Sequence, residues 1–127
     1  MPTSAGMIQT RKLFGSIVIF GIFFLLFGFG STPGSSHLVP TPCDKAIHFG
    51  VFAILAIGLR TTLPTLPVNL IALLAIGIGL VDELHQYLVP GRQPGIDDWL
   101  ADCAGTLGGL LIWPWLERRL FSCQCPT

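Results

Sequence analysis

A chain of 127 residues that is 51% hydrophobic and only 11% charged has too little polar side-chain surface to cover a soluble domain, and its length fits a single domain over 1–127. Seven Lys and Arg balance seven Asp and Glu, so the basic footprint that nucleic-acid binding requires is absent. With a mean hydropathy of +0.71, the composition points to an all-α, polytopic membrane protein.

The first apolar run, 13–29, contains no charge and follows Arg11 and Lys12. Basic residues before an apolar run also describe a cleaved signal peptide. This run is long and rich in Phe, further apolar segments follow, and no A-x-A site precedes the next loop, so a retained transmembrane helix over about 13–30 is the expectation. Gly, Ser and Pro in 30–40 make a connector. Thr41, Pro42 and Asp44 then read as a helix start, with Thr41 as N-cap and Pro42 at the first helical position. That helix, 42–62, ends before Pro64 and is long enough to cross the hydrocarbon core. Asp44 and Lys45 fall in its first turn, and His48 lies one turn deeper on the face of Asp44.

Pro64 and Pro67 mark a turn into a third helix, 67–88, whose last turns hold Asp82, Glu83, His85 and Gln86. A loop over 89–95 carries Arg92. The fourth helix, 97–116, has Trp99, Trp113 and Trp115 near its ends, where interfacial aromatics belong, and Pro114 limits its regular part. Four crossings put both termini on one side with Arg11, Lys12, Arg60, Arg118 and Arg119, and leave Lys45 and Arg92 on the other. Cations prefer the cytoplasmic side, so the expected topology is N-in and C-in, multi-pass in the cytoplasmic membrane, with the polar groups at the outer face. The cysteines do not form a disulfide framework: Cys43 stands alone, Cys103 lies in an apolar run, and Cys123 and Cys125 form a C-x-C read as a passive tail.

The polar residues carry the functional question. Asp82 and Glu83 sit at a helix C-terminus, where carboxylates are disfavoured, so a cation must offset them; Arg92 and Lys45 are the basic groups on that side. Gln86 repeats the Asp82 face at i+4, which favours a site over a simple exit into solvent. For Asp97 and Asp98 alone, helix-start electrostatics is sufficient explanation. Asp102 is one turn deeper, and shares a stripe with Asp98, Gly105 and Gly109 that should pack against another helix. His48 is either a packed polar residue or a general base. A divalent metal among these groups is the less favoured reading because no tight ligand spacing marks one, and no cofactor is expected.

Three motifs in order resemble those of the VanZ-like family of small bacterial membrane proteins: D-K-x-x-H-F-x-x-F from Asp44 to Phe52, D-E-x-x-Q from Asp82 to Gln86, and R-x5-D-x3-D-x2-G-x3-G from Arg92 to Gly109. The family often has Asn where Asp102 stands. Its namesake is linked to lowered sensitivity to the glycopeptide teicoplanin, and the resemblance implies a bacterial cell-envelope setting. The residues and the resemblance together give candidate catalytic groups Asp82, Glu83, Asp98, Asp102 and His48, and candidate ligand-binding groups Asp44, Lys45, Gln86 and Arg92. Expected partners are membrane lipids, and a lipid-linked cell-wall intermediate or glycopeptide. The rival readings are a small proton- or cation-coupled transporter and a structural subunit of a membrane assembly.

Overall fold

The computed structural model describes residues 4–29, 40–92 and 94–121; the expected connector at 30–39 and the Cys123–Cys125 tail lie outside them. The described residues form four helices: α1 (Ser4–Phe23), which continues as a wider π-helical stretch (Phe24–Phe29), α2 (Thr41–Thr62), α3 (Val68–Tyr87) and α4 (Ile96–Phe121). Short connections between α2 and α3, and between α3 and α4, turn the chain back on itself, as antiparallel neighbours require. By length and composition two segments are apolar enough to cross a membrane, Gly6–Gly28 and Val68–Tyr87. α2 and α4 are long enough, but polar residues at the site end lower their apolar content.

Local chemistry sets the helix ends, with four departures from the sequence reading. α1 begins at Ser4 rather than about 13, so Arg11 and Lys12 lie within it. α2 starts one residue earlier than expected: Pro40 occupies the N-cap, so Thr41 is the first helical residue rather than the cap. The Pro40 carbonyl accepts the amides of Cys43 and Asp44 at 2.9 and 3.2 Å, so the first turn is closed by backbone alone. At the other end Arg60 donates to the carbonyls of Pro64 and Leu66, which ties the α2–α3 turn to the last turn of α2. α4 does not stop near Leu116. It runs through Pro114 to Phe121, because losing one intrahelical amide is tolerable where the helix is held on both sides of the break. Trp113 is not an interfacial aromatic: it is 5% exposed, beside Phe121. Arg11 of α1 lies 4.2 Å over the Phe121 ring and bonds Glu117 at 2.6 Å, closing that end of the bundle.

α2 is the central helix and packs on all three others, most extensively on α4. Small residues make this possible. A side chain at Gly105 would run into the Phe49 carbonyl, and one at Gly109 into the Ala53 carbonyl, so the α4 stripe lies directly on α2 backbone. Gly15 of α1 meets α2 in the same way near Gly58 and Thr62. Between the helices sits an apolar core of Ile22, Phe52, Leu55, Leu59, Ile71 and Ala75. The outer faces are apolar as well, with Phe20, Leu73, Leu84, Leu107 and Leu111 all exposed. A bundle with apolar side chains both inside and outside suits a lipid surround.

Gly105→Leu should therefore destabilise the protein by about 1–3 kcal/mol or prevent folding, because the collision is with backbone that cannot rotate away. Gly77 meets nothing within 4 Å, so Gly77→Leu serves as the control. Thermal unfolding in detergent should separate the two; equal melting would mean that α4 does not rest on α2.

Candidate functional site

The starts of α2 and α4 and the end of α3 meet at one end of the bundle, and the polar residues gather there. α2 brings His48 inward one turn below Asp44, because i and i+4 share a face. α4 brings Asp102 inward one turn below Asp98, on the same side as Gly105. The two meet: His48 Nδ1 lies 2.9 Å from Asp102 Oδ1. An ionised carboxylate oxygen can only accept, so the imidazole donates from Nδ1. His48 is 7% exposed and Asp102 0%. Gly79 of α3 makes room for this pair, since a side chain there would lie 2.9 Å from Asp102 Oδ2.

α3 supplies the rest of the layer. Asp82 is 1% and Glu83 7% exposed, so neither is a mere exit from an apolar helix into solvent. Gln86 donates through Nε2 to Asp82 Oδ2 at 2.8 Å and accepts from Arg92 Nη1 at 3.2 Å. Arg92 thus reaches Asp82 through Gln86. Glu83 Oε2 accepts the amide of Gly95 at 2.9 Å, which pins the α3–α4 loop to α3. Gly91, at φ 85°, gives that loop its turn, a conformation that favours glycine. One oxygen on each carboxylate stays without a hydrogen bond among the described residues: Asp82 Oδ1, Glu83 Oε1 and Asp102 Oδ2.

Lys45 works at the rim. Its Nζ bonds Asp97 Oδ2 at 3.1 Å and Asp98 Oδ1 at 3.0 Å, strapping the start of α2 to the start of α4. These are partly exposed pairs that fix register more than they add stability. Asp44 also belongs to this upper tier: one donor atom from each of Asp44, His48 and Asp98 falls within 4.8 Å of the others. Below the layer, Phe52 is one turn under His48 and forms an apolar floor with Leu55 and Ile71. Beside it, a cavity of about 230 Å³ is lined by Leu80, Glu83, Pro94, Gly95, Ile96 and Trp99.

The structure brings all nine candidate residues to this end, in two tiers. His48, Asp82, Glu83, Gln86 and Asp102 form the buried tier, and Asp44, Lys45, Asp98 and Arg92 the half-buried rim. His85 is apart from them, packed edge-on against Phe27 with ring centroids 5.1 Å apart. Sequence reasoning missed Gly79 and Gly95. Gly79 precedes Asp82 by three residues on the same face, a small-residue signal that was available; the Gly95 amide contact had no signal in side-chain chemistry.

At the level of class, this is a small helical protein whose two membrane-grade helices point to a membrane setting and whose buried ionisable groups gather at one end. The chain belongs to the VanZ/LLP1 family, whose model matches residues 5–117, a span that includes all four helices as far as Glu117. No curated protein and no solved structure matches it.

The His48–Asp102 bond predicts a coupled response. Asp102→Ala leaves a buried imidazole N–H without its acceptor and should cost about 1–3 kcal/mol, while Asp102→Asn keeps an acceptor and should cost less. The double variant His48→Ala/Asp102→Ala should cost less than the sum of the two single changes. Unfolding in detergent measures all four proteins; strict additivity would mean that the two side chains do not depend on each other.

Proposed function

We propose that the protein is a four-span protein of the cytoplasmic membrane, with both termini inside, that binds or modifies an anionic envelope component at its outer end. A lipid head group or a lipid-linked cell-wall intermediate has the required chemistry: an acidic group on an apolar tail. The observation that carries this reading is the buried tier of His48, Asp82, Glu83, Gln86 and Asp102 at one end of a bundle whose sides expose large apolar residues. Ionisable groups at such depth are costly and serve a site by default. The adjoining cavity supports an amphiphilic ligand, because its wall is apolar apart from Glu83 and the nearby loop backbone.

Two features support four spans where only two helices pass by apolar content alone. α2 has 22 residues, about 33 Å of helix, and α4 has 26. Their ionisable residues fall in the first turns and the last, apart from His48 and Asp102, which bond each other. In this reading Lys45 and Arg92 engage the anionic group, the carboxylates orient them or accept protons, and His48 is the base if a reaction occurs. Glycopeptide sensitivity would follow if the bound species is a cell-wall precursor. The transporter reading finds less support, because the core of Phe52, Leu55, Ile71 and Ala75 fills the path below the polar tier. A purely structural role for the tier is the remaining alternative.

The topology is checked with a membrane-impermeant thiol reagent on intact cells. Cys43, which is exposed at the start of α2, should be labelled, and Cys123 and Cys125 spared. Labelling of the C-terminal pair from outside would reverse the orientation.

The binding role rests on Arg92. Arg92→Lys and Arg92→Ala should both insert at normal abundance, and should lose at least about tenfold of the retention of a co-purifying lipid species, since an ammonium does not reproduce a planar fork. Lipid analysis of the purified proteins, alongside susceptibility to cell-wall antibiotics at matched abundance, provides the measurement. Full retention in Arg92→Ala would remove Arg92 from the site and this reading with it.

A further inference from the structure

We propose that the buried tier is a binding site for a divalent transition-metal cation, ligated by His48, Asp82 and Glu83, with Asp102 positioning the imidazole. This deepens the reading of that tier as the working end of the protein and rests on it.

Two independent observations carry the proposal. The first is the donor set. A ring nitrogen of His48 and one carboxylate oxygen from each of Asp82 and Glu83 all lie within 4.8 Å of one another, and all three residues are more than nine-tenths buried. Donors around one cation with bonds of about 2.1 Å lie about 3–4 Å apart, so small side-chain rotations close the gap. The second is the set of oxygens without a partner. Asp82 Oδ1, Glu83 Oε1 and Asp102 Oδ2 are buried and make no hydrogen bond among the described residues, while the opposite oxygen of each is already engaged, by Gln86, Gly95 and His48. A buried carboxylate oxygen without a donor is costly unless a cation or a proton serves it.

The second tier of contacts fits the same role. With Nδ1–H held by Asp102, a neutral imidazole would ligate through Nε2, the carboxylate–histidine arrangement that orients imidazole toward a metal. Gln86 and the Gly95 amide likewise fix the two carboxylates. A mixed nitrogen and carboxylate set favours a transition metal such as Zn²⁺ or Mn²⁺ over Ca²⁺ or Mg²⁺, which prefer oxygen alone. A cation at this depth would lie beside the cavity at Glu83, where it could also meet an anionic oxygen of a bound head group.

The test uses the full-length chain with Cys123→Ser and Cys125→Ser, so that the C-x-C tail cannot hold metal. The protein is purified without chelator, its metal content measured, then stripped and titrated with Zn²⁺ or Mn²⁺ while thermal unfolding is followed. The expected result is about one metal per chain and a melting rise of roughly 5 °C or more on reloading, with little response to Ca²⁺ or Mg²⁺. Asp82→Asn and Glu83→Gln, which keep shape and the Gln86 and Gly95 contacts, should lose the metal and the rise. Asp102→Asn should bind about 10–100-fold more weakly, as a positioning residue does. In the parent, Co²⁺ substitution should give a visible absorption that Glu83→Gln lacks. No metal and no melting response in the parent would overturn the proposal, as would metal binding unchanged in an Asp82→Asn/Glu83→Gln protein. A parent without metal that still co-purifies one lipid species, dependent on Arg92, would overturn the metal site and leave the head-group reading standing; metal without any such lipid would do the reverse.

Discussion

Two glycines on α4 let its backbone rest on the carbonyls of Phe49 and Ala53, and the meeting of the α2 and α4 polar groups follows from that contact. His48 immediately precedes Phe49, and Asp102 lies one turn above Gly105. With the helices in backbone contact, these two side chains meet at 2.9 Å without a third group between them. Any side chain at Gly105 would push α4 outward and part the pair. The Lys45 strap to Asp97 and Asp98 sits one turn higher on the same two helices and holds the same register. In a lipid surround, where apolar burial gives no preference for helix over acyl chain, close backbone approach and buried polar bonds are the forces left to fix the partner.

α3 joins this frame by a different device. Its Ile71 and Ala75 enter the apolar core, Gly79 fits over Asp102, and the Glu83–Gly95 bond ties its last turns to the loop that starts α4. The result is a layer whose carboxylates come from two helices and whose imidazole comes from a third. Each carboxylate uses one oxygen to hold the frame, and the other makes no hydrogen bond among the described residues. Holding such a layer costs the desolvation of three carboxylates, which an apolar layer joining the same three helices would not.

The sequence was a good guide to what depends on local pattern. The starts of α2, α3 and α4 were marked within one residue, whereas α1 starts at Ser4, well before the expected 13, and the i+4 repeats identified which faces of α2, α3 and α4 turn inward. The stripe of Asp98, Asp102, Gly105 and Gly109 foretold a helix contact and an interior aspartate, and both are present. Less legible was pairing across helices, which depends on rotation and depth offset. Both Lys45 and Arg92 were available to meet Asp82 and Glu83, with Arg92 the favoured partner of the carboxylates, yet Lys45 pairs with Asp97 and Asp98, and Arg92 hydrogen-bonds Gln86, which in turn bonds Asp82. Trp113 read as an interfacial aromatic because its place near a helix end says nothing of which face it is on. Pro114 read as a stop because the packing that carries α4 past it is tertiary.

The far end of the bundle bears on what the polar layer can do. There Arg11 bonds Glu117 and lies over Phe121, near Trp113, so α1 and α4 are joined across their ends. Between that seal and the layer lies the apolar core of Ile22, Phe52, Leu55, Leu59, Ile71 and Ala75. Ions crossing a membrane need polar groups or water at successive depths. Here the buried ionisable groups occur at one depth, with Phe52 beneath them and the cavity at Glu83 to the side. A layer closed below by the apolar core and bordered at Glu83 by a cavity has no polar continuation toward the far end among the described residues, which is why the proposed ligand is one held at one end and not one carried through the bundle.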